Sequence, residues 1–165
     1  LRCAGLHRIS GLPGQLVAEG ERRQDTLVPH VRERPPVDEV SLFEKLGGEQ
    51  GIRSLVDAFY DRMDQQAAYV SLRALHPPHL DGSRDKLFWF LCGWSGGPQH
   101  FQQRFGHPRL RARHLLFAIG ELERDQWLAC MDQAMGEVGI DEELRGKLRE
   151  SFAGTADWMR NTPGS

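Results

Sequence analysis

The chain has 165 residues, of which 39% are hydrophobic and 27% are charged, and this composition is typical of a folded domain with a substantial core. Its formal net charge of −2 excludes a global positive field, so we expect neither nucleic acid nor an anionic membrane as a partner. The sequence contains no apolar stretch of the roughly 20 residues that a membrane helix needs, and no secretory signal, so we expect a cytoplasmic protein.

The first 40 residues differ in composition from the rest. They contain no Phe, Trp or Tyr, and no apolar period runs through them. Such a segment can bury little surface. We therefore expect a disordered N-terminal extension over residues 1–40 and a single folded domain over residues 41–165.

Helical signals begin at Ser41. Ser41 and Glu44 form a capping-box pattern, and the pair Gly47-Gly48 ends the short helix that follows. Apolar residues then recur at steps of three and four, which predicts a helix over about 49–66. Its predicted buried face consists of Ile52, Leu55, Val56, Phe59, Tyr60 and Met63.

Two further helical segments are predicted on either side of the corner that Pro77-Pro78 forces. The first is a short piece near 67–74. The second begins after Asp81, which we expect to be its N-cap, and ends before Gly96. Its wide apolar face consists of Leu87, Phe88, Phe90, Leu91 and Trp94.

The segment 98–108 is predicted to be a long loop, because it contains Pro98, Gly106 and Pro108. A short helix can follow over residues 109–117. Loops of this length are often functional.

The remaining sequence predicts two long helices. The first runs from Glu121 to about Val138, with Val138 on its buried side, and the second covers about 141–160 with Asp141 as its N-cap. No segment alternates as a strand would. The prediction is therefore an all-α fold.

The cysteines argue against a disulfide framework and against a zinc site, because there are three of them without C-x-x-C spacing. We interpret Cys92 and Cys130 as buried free thiols.

Histidines are the most prominent candidates for chemistry, and five of the seven fall within residues 76–114. Gly106 and Pro108 interrupt the helix that would align His100, His107 and His114 for a metal. We interpret His79, His100 and His107 as solvated loop residues.

His114 differs from the other histidines because it separates a basic strip, residues 109–113, from the apolar run 115–119. A planar cofactor with an apolar face, a central iron and two carboxylate arms requires this combination of residue types. From spacing alone, a histidine of the core or the surface remains an alternative.

The domain resembles the group II truncated haemoglobins from about Ser41 to Arg160. Five pieces occur in the family's order and spacing: Leu42-Phe43-Glu44-Lys45-Leu46-Gly47-Gly48, Phe59-Tyr60, Gly96-Gly97-Pro98, Gly106-His107-Pro108-Arg109-Leu110-Arg111-Ala112-Arg113-His114 and Glu123-Arg124-Asp125-Gln126-Trp127-Leu128. The resemblance implies a truncated globin fold, a two-over-two helical sandwich around haem b.

The resemblance also implies roles for individual residues. His114 matches the proximal ligand of the iron, and its other ring nitrogen is expected to donate to a backbone carbonyl. Arg113 and Lys86 match the positions that hold the propionates. The remaining residues expected to contact haem are Phe59, Tyr60, His76, Leu87, Phe90, Leu110, Phe117 and Trp127.

Three polar residues match the distal side, where a gas would bind: Tyr60, His76 and Trp127. Each can donate a hydrogen bond to bound dioxygen, which becomes partly superoxide-like. The family usually has Tyr or Phe where His76 stands, so this site gains a group that could donate to the ligand, transfer a proton or bind iron. Ser83 stands where many oxygen carriers have a distal histidine.

These observations predict a haem protein that binds dioxygen and other diatomic gases. Because several donors would slow oxygen release, the expected function is redox chemistry such as nitric oxide or peroxide detoxification, with a reductase as electron donor. The alternatives are a cofactor-free helical interaction module and a gas or redox sensor on the same scaffold.

Overall fold

The computed structural model describes residues 39–163, and within this range the protein is helical without any strand. The predicted all-α fold is confirmed. The elements are α1 (Leu42–Lys45), α2 (Gly48–Gln65), a 3-10 turn (Ala67–Tyr69), α3 (Val70–Ala74), α4 (Asp81–Trp94), α5 (His100–Phe105), α6 (Leu110–His114), α7 (Glu121–Glu137) and α8 (Glu142–Met159). The extension expected over residues 1–40 lies, up to residue 38, outside the described residues.

Helix α2 is central to the core, since it packs against both α4 and α7, and α7 packs in turn against α3 and α8. The predicted apolar face of α2 is confirmed, because all six of its residues are buried: Ile52, Leu55, Val56, Phe59, Tyr60 and Met63. This arrangement places Phe59 and Tyr60 in the interior, where α2 meets α7.

Helix α5 corrects the prediction of a loop over residues 98–108. Pro98 precedes the helix, and Gly106 ends it with a φ of 72°, a left-handed conformation that favours glycine. The seven residues between them contain no helix breaker, and Phe101 anchors the helix through burial. The breakers therefore limit the helix at its two ends and do not abolish it.

Two smaller predictions about helix ends were also wrong. Leu80, and not Asp81, is the N-cap of α4, while Asp81 is the first helical residue and makes no capping hydrogen bond. A carboxylate in the first turn still interacts favourably with the helix dipole. Val138 is 37% exposed because α7 ends one residue before it.

Two predicted caps are confirmed. Ser41 and Glu44 form a complete capping box at the start of α1. Asp141 caps α8, because its Oδ1 accepts a hydrogen bond of 3.0 Å from the backbone N–H of Leu144.

Substituting Asp141 tests how much this cap stabilises the fold. Asp141→Ala removes the acceptor and is expected to lower the free energy of unfolding by about 1 kcal/mol. Asp141→Asn keeps an acceptor oxygen and should retain most of the stability. Urea unfolding followed by circular dichroism measures both, and equal midpoints for wild type and Asp141→Ala would contradict the assignment.

The cysteines of the described chain are free thiols, as predicted: Cys92 and Cys130 are buried and unpaired. Burial raises the pKa of Cys92 to about 11 and that of Cys130 to about 12, so both remain protonated at neutral pH. None of the described helices has the length and apolar character needed to cross a membrane.

Candidate functional site

The imidazole of His114 is oriented by its own helix. Its Nδ1 lies 2.7 Å from the backbone oxygen of Leu110, one turn earlier in α6. A carbonyl oxygen only accepts hydrogen bonds, so Nδ1 carries the hydrogen and Nε2 of the neutral ring keeps its lone pair. This is the backbone hydrogen bond expected for a metal-binding histidine, and it leaves Nε2 free to bind a metal.

Helix α6 is positioned by contacts at both ends. Arg109, the N-cap, precedes it with a φ of 44°, a left-handed conformation that costs a non-glycine residue roughly 1–2 kcal/mol. After the helix, Asn161 Nδ2 donates to the backbone oxygens of His114, at 3.0 Å, and Phe117, at 2.8 Å. The Oδ1 of Asn161 accepts from the N–H of Ile119 at 3.1 Å. The turn that carries His114 is thereby bound to the chain that follows α8.

The other side of this turn is apolar and open. Within the described part of the chain α6 packs chiefly against α8. The residues next to His114 are exposed: Leu115 by 58%, Leu116 by 88% and Phe117 by 42%. A planar apolar group with a central metal would cover such side chains and use the free Nε2, so these residues fit haem.

A chain of neighbouring aromatic rings connects the three polar residues predicted for the distal side. The ring centroid of Phe59 is 5.1 Å from that of Tyr60 and 5.4 Å from that of Trp127. The ring of His76 lies edge-on to Tyr60 at 5.7 Å. Phe59 therefore separates Trp127 from Tyr60 and His76, and together they form one aromatic cluster built from α2, α7 and the turn after α3.

Burial controls the protonation of Tyr60 and His76. It raises the pKa of Tyr60 above its usual value, so the phenol stays a neutral donor, and its hydroxyl makes no hydrogen bond within residues 39–163. Burial also lowers the pKa of His76, and the positive charge of Arg73 lowers it further, against a hydrogen bond to Leu72 that raises it.

The other predicted haem contacts lie on α4 and α6. Leu87 and Phe90 are half-buried against the core, Leu110 is half-buried, and Lys86 is exposed. Arg113 is also exposed, but its guanidinium already holds the turn between α5 and α6, since it donates to Pro108 O at 2.8 Å and to Phe105 O at 3.3 Å. The propionate roles of Lys86 and Arg113 remain predictions.

The remaining histidines follow the sequence interpretation in part. His79 and His107 are exposed, as predicted. The interpretation of His100 as a solvated loop residue was wrong, because its Nε2 lies 2.5 Å from Glu49 Oε1 and its ring stacks on Phe88. His100 thus binds the start of α5 to α2.

Sequence analysis missed two residues that organise the site, Asn161 and Gln126. Gln126 Oε1 accepts a hydrogen bond of 2.9 Å from the N–H of Leu72 and so joins α7 to α3. The only signal available was its place beside Trp127 in a family-like piece. No pattern indicated Asn161.

Residues 41–161 match the model of the bacterial-like globin family. The chain belongs to this family. It is 40% identical over 114 residues to the group 2 truncated hemoglobin YjbI of Bacillus subtilis, an alignment that covers 69% of this chain and 84% of the relative. The expected resemblance to the group II truncated haemoglobins is confirmed.

Solved structures agree with this assignment. The group II 2-on-2 hemoglobin of Agrobacterium tumefaciens superposes with a TM-score of 0.74 at 37% identity and covers 77% of this chain and 98% of its own. The cold-adapted truncated hemoglobin of Pseudoalteromonas haloplanktis TAC125 gives 0.73 at 39% identity and covers 74% and 99%. The fold of this globin is therefore the two-over-two sandwich, and globin membership implies haem and the binding of small gases.

Proposed function

We propose that this globin holds haem b through His114 and binds dioxygen and other diatomic gases on the side of Tyr60, His76 and Trp127. The observation that carries the proposal is the hydrogen bond from His114 Nδ1 to Leu110 O, which leaves Nε2 free beside the exposed apolar turn. When bound, haem supplies the iron that binds the gas and exchanges electrons with it.

The chain offers two kinds of contact for the rest of the cofactor. Apolar side chains from three helices and the turn after α6 would cover the macrocycle: Phe59, Leu87, Phe90, Leu110 and Phe117. The long side chains of Lys86 and Arg113 can reach the propionates from the rim, with their stems on the apolar surface and their charges in water.

The distal residues determine how long a gas stays bound. Tyr60 is a neutral donor in a buried position, and the indole N–H of Trp127 is a second donor on α7. Hydrogen bonds to a charged acceptor stabilise it by roughly 1.5–3 kcal/mol each, so they retain superoxide-like dioxygen preferentially. Slow release suits redox chemistry, such as nitric oxide or peroxide detoxification, better than bulk transport. Turnover of this kind requires a reductase as electron donor. A cytoplasmic location would place this globin in the same compartment as such a reductase.

Titration of the purified protein with hemin tests the proposal. We expect a Soret band that saturates at one haem per chain, and a ferrous form that binds dioxygen and carbon monoxide reversibly, because His114 Nε2 is free to coordinate iron. Absorption spectroscopy in the ferric, ferrous and gas-bound states measures this. A protein that leaves added hemin with the spectrum of free hemin would contradict the proposal.

A further inference from the structure

A line of hydrogen bonds runs from α7 to His76 through Leu72. The N–H of Leu72 lies in the first turn of α3, where backbone donors have no partner within the helix, and it donates to Gln126 Oε1 at 2.9 Å. The backbone oxygen of the same residue lies 2.9 Å from His76 Nδ1. Leu72 is 4% exposed, so both bonds form away from bulk water.

These contacts determine which ring nitrogen of His76 carries the hydrogen. Because the oxygen of Leu72 can only accept, Nδ1 carries the hydrogen, and Nε2 of the neutral ring is an acceptor. The titratable and charged groups around the ring are Arg73 in the preceding helix, His114 on α6 and Tyr60 on α2. The cationic Arg73 opposes a positive charge on His76, while the buried Tyr60 stays uncharged.

We propose that Gln126 is a positioning residue that fixes His76 as a hydrogen-bond acceptor, with Nε2 rather than an N–H available to a ligand. The inference rests on the proposed function, since it assigns His76 to the distal side of bound haem. It differs from the expectation that His76 donates to bound dioxygen, because the only hydrogen on the nitrogens of the neutral ring goes to Leu72 O.

The acceptor defines a class of ligand, namely small molecules H–X that bring a proton, such as hydrogen sulfide or hydrogen peroxide. Such a molecule donates a hydrogen bond from H–X to Nε2 of His76, and its H–X bond stays intact, because burial and the charge of Arg73 oppose a positive charge on the ring. Carbon monoxide has no proton to give and gains nothing from the acceptor.

The tautomer of His76 is the direct test. In the ferrous carbon monoxide complex of the full chain, long-range ¹H–¹⁵N NMR identifies which ring nitrogen carries the hydrogen, and His76→Phe assigns the signals. We expect the Nδ1–H form at neutral pH. An Nε2–H form in a normal carbon monoxide complex would overturn this inference alone, whereas failure to bind haem would overturn the proposed function with it.

Variants of Gln126 test its positioning role. Gln126→Leu removes the acceptor for Leu72, and we expect a mixture of tautomers and a loss of about fivefold to tenfold in hydrogen sulfide affinity of the ferric protein, with carbon monoxide affinity unchanged. Gln126→Glu keeps an acceptor oxygen and should retain the Nδ1–H tautomer and the wild-type hydrogen sulfide affinity. The matched control is Gln133→Leu, because Gln133 also lies on α7 and accepts from Tyr69 Oη at 2.8 Å.

The control separates positioning from general loosening of α7. We expect Gln133→Leu to retain the wild-type tautomer and sulfide affinity. Equal losses in Gln133→Leu and Gln126→Leu, or wild-type behaviour of Gln126→Leu, would overturn the role of Gln126.

Discussion

His114→Ala is expected to abolish specific haem binding, with loss of the sharp Soret band after hemin addition and gel filtration. The substitution removes Nε2, the atom that we propose binds iron. The fold should survive, because alanine favours helices and Asn161 contacts the backbone oxygen of residue 114 rather than its side chain. Absorption spectra and haem stoichiometry measure the loss.

His107→Ala is the matched control for this experiment. His107 lies on the same stretch of chain but is exposed, and its Nδ1 accepts from the backbone N–H of Arg109. It should bind haem as the wild type does. Added imidazole should restore a five-coordinate ferrous spectrum to His114→Ala, and an unaltered spectrum of that variant without imidazole would refute the proximal assignment.

Tyr60→Phe and Trp127→Phe are expected to speed the dissociation of dioxygen by about tenfold to hundredfold each. The physical reason is the loss of one hydrogen bond to a partly negative ligand, roughly 1.5–3 kcal/mol. Tyr60→Phe should change stability little, because its hydroxyl has no partner among residues 39–163 whose hydrogen bond would be lost. Stopped-flow displacement of dioxygen by carbon monoxide measures the rates.

The chain provides its own control in Tyr69, the other of its two tyrosines. Tyr69 bonds to Gln133 and makes none of the contacts of the Tyr60 cluster. Tyr69→Phe should therefore release dioxygen at the wild-type rate. Wild-type rates in Tyr60→Phe and Trp127→Phe would show that neither residue faces the bound gas.

The fold could be predicted where periodicity is strong and failed where short elements depend on context. Helix α2 carries apolar residues at regular steps, and its bounds were predicted within one residue. Helix α5 has six residues between a proline and a glycine, too few for a period to show. What stabilises it is tertiary, namely burial of Phe101 and the contact of His100 with Glu49.

The candidate site could be predicted as a set of side chains but not as a set of hydrogen bonds. The ring of Tyr60 lies beside that of His76, and Phe59 lies between Tyr60 and Trp127, while the roles of these side chains at haem stay predictions. That His76 presents an acceptor depends on the backbone oxygen of Leu72, which no residue pattern records. Nor does any residue pattern show that the guanidinium of Arg113 donates to the backbone oxygens of Pro108 and Phe105.

The side chain of Asn161 connects the segment after α8 to the residue that we propose binds iron. It stands 47 positions after His114, yet its Nδ2 donates to the backbone oxygen of that residue. We therefore expect proteolysis just before Asn161, or a fusion that displaces it, to weaken haem binding before it unfolds the core.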